Sequence, residues 1–181
     1  MDDLLTERLV LHPMSVQEAA ALTRGEAHDA VSWARGYPTE ADVSGARRYL
    51  DLCEAEGDPQ PFGPYEIRRR EDGCVIGGLG FHGPPDPDGT VTIGYGLVAG
   101  ARGHGYAAEA LRALLLFART QGVSRVAGDT DHGNIASQRV MAAAGMKLVS
   151  EDEYLKYYTL EWPPSRHSTP GRQGHGRAAD E

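Results

Sequence analysis

Lysine is nearly missing from this chain: of 18 basic residues in 181, only Lys147 and Lys156 are lysines, and neither stands in a glycine-rich loop. That excludes a P-loop nucleotide site, which needs a lysine there. Cysteine is as scarce. Cys53 and Cys74 have no CxxC spacing and no histidine at ligand spacing, so neither a disulfide framework nor a zinc site is expected. Long apolar runs are missing too; the purest stretch, Ala113 to Ala118, falls far below membrane-spanning length. The chain opens Met1, Asp2, Asp3, with no basic leader and no apolar signal region. A soluble, cytoplasmic protein without membrane contact is the expectation.

Positive charge is also in short supply, since 26 acidic residues outnumber 18 basic ones for a net charge of -8. That balance argues against a nucleic-acid partner, which needs a basic footprint, and favours a cationic one. The deficit lies in the body of the chain, because residues 163–181 carry three arginines against two acids. This last segment, PPSRHSTPGRQGHGRAADE, loses its hydrophobic residues and is expected to be a disordered tail. Its His167 and His175 are too isolated to form a metal site. The remaining length suits one α/β domain.

Residues Thr6 to Leu11 (TERLVL) alternate like a strand, and Ser15-Val16-Gln17-Glu18 reads as a capping box opening a helix to about Gly25. After a connection containing Trp33, Gly36, Tyr37 and Pro38, the spacing predicts a second helix from Thr39 to about Glu56. Strands then follow at 65–69, 75–81 and 90–97, joined by turns with Asp-Gly at 72–73 and 88–89, the pattern of consecutive hairpins. From Tyr106 the period changes to that of a helix, with Ala107, Leu111, Leu114, Leu115 and Ala118 on one face, until Gly122. A strand at 123–129, a short helix at 135–144, and strands at 146–150 and 154–161 complete the order.

The most informative stretch is IGYGLVAGARGHGYAAEAL, residues 93–111, where a strand runs through Arg102-Gly103-His104-Gly105 straight into a helix. Glycines there let successive backbone N–H groups turn inward, and a helix start adds unpaired N–H groups at its positive end. Such a loop can cradle a diphosphate. The plain alternative is a tight strand-to-helix turn. A dinucleotide fold is excluded by the hairpin-linked strands and by the lack of GxGxxG.

The run Arg102-Gly103-His104-Gly105-Tyr106-Ala107 resembles the R/Q-x-x-G-x-G/A signature of the GNAT superfamily of N-acetyltransferases. A second block, Asp131-His132-Gly133-Asn134-Ile135-Ala136-Ser137, is similar to the D-x-x-N-x-x-S pattern of the ribosomal-protein N-acetyltransferase (RimJ/RimL-like) branch, as is TERLVL. The similarity extends over residues 5 to 162. It implies a GNAT acyl-CoA N-acyltransferase fold (α/β, of the α+β kind) over 1–162, with a mixed, mostly antiparallel sheet of about six to seven strands and about four helices. Acetyl-CoA is the implied co-substrate, held by Leu97, Val98, Arg102, Gly103, His104, Gly105, Tyr106, Ala107, Asn134 and Ser137. No metal is implied. Without the resemblance, Asn134 reads as a helix cap and Ser137 as an ordinary first-turn residue.

Acetyl transfer needs a neutral amine, a donor for the oxyanion and a proton for the leaving thiolate. The family mostly uses direct attack in a ternary complex, which agrees with the absence of GxSxG. The resemblance implies a backbone N–H near Leu97 and Val98 as oxyanion donor. A tyrosine seven residues after the Asn is common in the family, but Met141 stands there, leaving Ser137 as the candidate acid. Where relatives carry a carboxylate in E-I-G-Y-G, this chain has Thr92, so base candidates are Glu153, in the acidic run 151–153, and Glu66. That run also reads as a solvated turn. Glu109 is expected to support the helix start or orient loop amides rather than to catalyse. Trp33 and Tyr37 are candidate acceptor contacts, suited to a cationic amine through cation-π attraction, or equally core residues of the helix pair. The acceptor is left open between a protein amino terminus and a small cationic amine or antibiotic. A non-catalytic acyl-CoA-binding module on the same scaffold is the alternative, and a homodimer is an option by analogy alone.

Overall fold

A computed structural model describes residues 2–28 and 31–162; the expected tail lies outside the described residues. Two hydrogen-bonded capping boxes start the first helices. Ser15 and Glu18 close α1 (Val16–Thr23), and Thr39 and Asp42 close α2 (Glu40–Glu56), each side chain accepting from the other's backbone N–H. The second box, a T-x-x-D signal, is one the sequence reading passed over.

The strands β1 (Leu4–Leu5), β2 (Leu9–Pro13), β3 (Pro64–Arg69), β4 (Val75–Phe81), β5 (Thr90–Leu97), β6 (Arg125–Asp131), β7 (Lys147–Glu151) and β8 (Leu155–Glu161) form one sheet. Its order is β1-β2-β3-β4-β5-β6-β8-β7, so the described residues hold eight strands rather than six or seven. The extra strand is β1, which lies just before TERLVL. Thr6 Oγ1 accepts from Leu9 N–H at 2.9 Å and turns the chain, so the strand expected over 6–11 begins only at Leu9, as β2, and Leu4–Leu5 pairs back on it.

All pairings are antiparallel except β5 with β6. Helix α3 (Tyr106–Thr120) lies on one face of the sheet and α1 and α2 on the other. Alternation explains the division. Odd-numbered Leu9, Leu11, Tyr65, Ile67, Leu79, Phe81 and Ile93 point to α3, whose Ala110, Leu111, Leu114, Leu115 and Ala118 are buried. The Tyr65 and Phe117 rings meet edge to face, with centroids 6.4 Å apart. Beneath α2 the even-numbered positions of β4 and β5 are mostly glycine, with Gly78 opposite Gly96 and Gly80 opposite Gly94. Helix α4 (Ile135–Ala143) packs against α3 and β7. No helix of the described residues is long and apolar enough to cross a membrane.

Close approach between β4 and β5 depends on Gly77, where a Cβ would collide with the Gly96 carbonyl and come within 2.9 Å of Leu97 Cα. Both contacts are backbone, so neither neighbour can swing aside. Gly77→Ala is expected to destabilise the fold by about 1–3 kcal/mol, as overpacking does, measurable as a lower urea midpoint.

Candidate active site

The parallel ladder between β5 and β6 joins only Thr90, Val91 and Thr92 to Arg125, Val126 and Ala127. Beyond it the two strands part, and the second half of β5 keeps β4 alone as its partner. The direction of its backbone groups follows from the register. His82 N–H donates to Thr92 O at 2.8 Å and Val98 N–H to Ile76 O at 2.9 Å, so the even-numbered residues turn toward β4. By the alternation of an antiparallel pair, the odd-numbered ones, Leu97 among them, aim N–H and C=O into the gap. Of the two expected oxyanion donors, Leu97 is therefore available and Val98 is committed to β4. Arg102 Nε donates to Leu97 O at 3.1 Å, tying the strand end to the loop that follows.

That loop is built around Gly103 and Gly105, at φ 81° and 80°, where a Cβ-bearing residue would be strained. Helices α1, α2 and α4 all begin with a side-chain cap; α3 has none. Its first N–H groups, running into Ala107 and Ala108, meet no side-chain acceptor and keep their partial positive charge for an anion. Behind the loop stands a clamp. Glu109 accepts from Thr6 Oγ1 (2.6 Å), Arg8 N–H (2.8 Å) and Arg8 Nε (2.7 Å), while Arg8 Nη1 donates to His104 O (2.9 Å). The Arg8 guanidinium also lies 4.7 Å from the centre of the Tyr106 ring. Partial burial pushes Glu109 up, and the Thr6 and Arg8 hydrogen bonds outweigh it, holding its carboxyl below the usual range.

Gap, loop and α4 enclose a cleft of about 890 Å³. Leu97, Arg102, Gly103, Gly105, Tyr106, Ala107, Asn134 and Ser137, eight of the expected cofactor residues, line it together. His104 does not; its ring lies beside Tyr106, with centroids 5.7 Å apart, and its carbonyl receives Arg8. Asn134 does cap α4, its Oδ1 accepting from Ser137 N–H at 3.1 Å, and still lines the cleft. Met141 is fully buried in the core. A phenol reaches the serine by another route: Tyr95 on β5 shares a 2.8 Å hydrogen bond with Ser137 Oγ and donates to Ser137 O at 3.1 Å. Burial pushes the Tyr95 hydroxyl above its ordinary range. No spacing rule relates residues 95 and 137, so the sequence alone assigns Tyr95 no role.

The remaining candidates separate. Glu153 is exposed on the β7–β8 turn and lines no part of the cleft. The organising carboxylate there is Asp152, held down at about 2 by hydrogen bonds from Tyr157 Oη and the N–H groups of Leu155 and Tyr154. Glu66 is wholly buried, with Oε1 on His28 Nε2 at 3.1 Å and Oε2 on Arg68 at 2.7 Å, and so is not a free base. Trp33 pairs in a short bridge with Val75 and meets the Tyr37 ring edge to face at 5.3 Å; it lines neither the cleft nor the smaller cavity of about 280 Å³ beneath α2. Tyr37 lines that smaller cavity. Among the described residues, no group of three or more His, Cys, Asp or Glu could hold a metal ion.

An α+β sheet parted at its one parallel pair among the described strands, with an uncapped helix facing the gap, is the arrangement that the GNAT resemblance implies. Residues 8–147 match the acetyltransferase (GNAT) domain model. The chain belongs to the GNAT family and is an N-acetyltransferase of that family. It is 30% identical over 162 residues to YjdG, an uncharacterized N-acetyltransferase of Bacillus subtilis, covering 86% of this chain and 95% of that one. Its fold matches the ribosomal-protein-S5-alanine acetyltransferase of Vibrio fischeri with a TM-score of 0.66 at 16% identity, covering 91% of this chain and 100% of that one. A ribosomal L7/L12 alpha-N-protein acetyltransferase, RimL, solved with coenzyme A, matches with a TM-score of 0.64 at 17% identity, covering 88% and 98%.

The Glu109 clamp makes a pH-dependent prediction. A carboxyl depressed in the folded state contributes stability above its unfolded pKa, and that contribution is lost as pH falls through the folded value. Glu109→Ala should cost about 1–3 kcal/mol at pH 7. The gap between variant and wild type should close on acidification to below the ordinary carboxylate range, as followed by denaturant titration at each pH.

Proposed function

We propose that this chain transfers the acetyl group of acetyl-CoA to a primary amine by direct attack in a ternary complex. The observation that carries the reading is the uncapped start of α3, opening onto a cleft that runs along the unpaired edge of β5. In this reading the pyrophosphate sits on the N–H groups of the 103–108 segment with Arg102 beside it, and Asn134 meets the pantetheine arm. Leu97 N–H receives the thioester oxygen as it becomes an oxyanion. Ser137, backed by the Tyr95 phenol, protonates the departing thiolate. The phenol compensates for the weak acidity of a lone serine hydroxyl, because a hydrogen-bonded pair shares the proton demand.

The acceptor is an amino terminus of a protein or a small cationic amine. The excess of acidic residues supports a cationic acceptor, and the fold it shares with acetyltransferases of ribosomal proteins supports the first of the two. A non-catalytic acyl-CoA-binding module is the second reading, favoured by Thr92 where relatives carry a carboxylate. Thiol release from acetyl-CoA across an amine panel separates them, since a pure binder saturates without amine-dependent release.

Arg102→Ala should raise the acetyl-CoA dissociation constant about tenfold, the loss of one charge-assisted contact; unchanged calorimetric binding defeats the loop assignment. Ser137→Ala should lower turnover by about 10–100-fold while acetyl-CoA binding stays within twofold, and Tyr95→Phe should act in the same direction more weakly. Turnover equal to wild type in Ser137→Ala removes its chemical role.

A further inference from the structure

The smaller cavity, about 280 Å³, meets the main cleft at Ala41, Ser44, Tyr95 and Gly96. Its floor is the glycine patch of β4 and β5, and the missing side chains make room for specific groups. At Gly78, Asp42 Oδ1 stands 2.5 Å from where a Cβ would be; at Gly94, His82 Nε2 stands 2.9 Å away. At Gly96 nothing lies within 4 Å, which leaves the floor open beside Leu97.

Asp42 is held by one oxygen only. Its Oδ2 accepts from Thr39 N–H at 2.8 Å and Thr39 Oγ1 at 2.6 Å in the capping box, while Oδ1 receives no hydrogen bond from the described residues. The Tyr37 hydroxyl, buried in the wall of the same cavity, meets no well-aligned hydrogen-bond partner among the described residues and faces the Glu66 carboxylate. The free carboxylate oxygen of Asp42 is thus left to a donor that the described residues do not supply, with a phenol beside it. A primary ammonium answers that need with three donors and a positive charge. Arg48, also in the lining, would repel it and so directs it toward Asp42. Asp42 stands over Gly78, which pairs directly with Gly96, the neighbour of Leu97 in β5. On this face β5 itself offers only Thr90 and Thr92.

We propose that this cavity receives the acceptor's primary amino group, and that Asp42 binds it as an ammonium and takes its proton before attack. The inference rests on the acetyl-transfer reading above. At about 280 Å³ the cavity falls just below the roughly 300–1,000 Å³ typical of whole-ligand sites, so it admits the amine-bearing end of an acceptor with a small or unbranched neighbouring carbon. The step balances. Asp42 takes one proton from R–NH3+ and later releases it to solvent. The nitrogen lone pair forms the N–C bond, the C–S bond breaks, and the thiolate gains a proton as the new amide nitrogen loses one.

Around Asp42 stand Glu66 of β3, with its partners Arg68 and His28, Tyr37 of the preceding connection, and Arg48 and His82 in the cavity lining. Burial, opposed by the Thr39 hydrogen bonds and assisted by the charge of Glu66, raises Asp42 above its ordinary value. Burial and then Arg48 lower His82, so its imidazole competes little for the ammonium as a second cation.

The test measures amine-dependent thiol release with amino-acid amides and α,ω-diaminoalkanes as acceptors. Asp42→Asn should lower kcat/KM for the amine at least 100-fold, with the acetyl-CoA dissociation constant within twofold. The fall of wild-type kcat/KM as pH drops through the Asp42 titration should be absent from the variant. Tyr37→Phe keeps the ring and removes a hydroxyl with no well-aligned partner among the described residues, so a purely structural ring predicts an unchanged KM; we expect KM for the amine to rise about fivefold. A folded Asp42→Asn enzyme within threefold of wild type, or an unaltered KM in Tyr37→Phe, overturns the inference and leaves acetyl transfer standing. Wild-type protein that releases no thiol with any amine overturns the acetyl-transfer reading, and this inference with it.

Discussion

The parallel ladder of β5 and β6 stops after Thr92 and Ala127, and the rest of the site depends on that short register. Were the pairing to continue, the odd-numbered N–H groups of β5 would be taken up by β6, as buried backbone donors normally are. Because it stops, Leu97 is left facing a gap, and α4 delivers Asn134 and Ser137 to the far side of it. Tyr95 leaves the sheet on the α3 face and so meets Ser137 at the start of α4 beside the same gap. The register limit creates the proposed oxyanion donor, and the placement of α4 brings the proposed acid to it.

The anion loop is fixed by a different means. Its glycines permit the conformation but do not enforce it, and α3 has no capping side chain to hold its first turn. The enforcing contacts come from the turn between β1 and β2, where Thr6 and Arg8 close on Glu109 and Arg8 reaches the His104 carbonyl. A carboxylate one turn into α3 would repel a pyrophosphate if it faced the ligand. Here Arg8 neutralises it from behind, which leaves the helix dipole and loop amides to act on the anion. A net charge of -8 is compatible with a polyanionic cofactor for this reason: the field that matters is that of a few oriented dipoles at short range.

Asp42 shows how one residue serves two levels of the structure. Through Oδ2 it completes the capping box of α2, an ordinary local arrangement. Its other oxygen hangs over Gly78, in space that any other residue at that position would fill. The glycine pairs of β4 and β5 weaken the strands as strands, since they pack nothing and lose more entropy on folding. In exchange they open a cavity between sheet and helix that meets the cleft at Ala41, Ser44, Tyr95 and Gly96.

Much of this was legible in the chain itself. Hydrophobic periodicity marked α3 and its buried face, the Asp-Gly turns marked the meander, and Arg102 to Ala107 marked the anion loop, because each rests on near neighbours along the backbone. Asn134 was legible on the same ground only as a helix cap; a place for it and Ser137 in the site came from the family resemblance alone. Sequence could not show that Glu153 lies outside the cleft, because an acidic run looks alike whether it faces a cleft or a turn, nor that His28 and Arg68 surround Glu66. Tyr95 against Ser137, Arg8 against Glu109, and Asp42 above Gly78 were decided only by tertiary structure. Those pairs lie far apart in the chain, and what brings them together is the strand register and the packing of α2 and α4 on the sheet. Local patterns determined which elements form and where an anion could sit; the meeting of distant side chains determined what chemistry stands beside it.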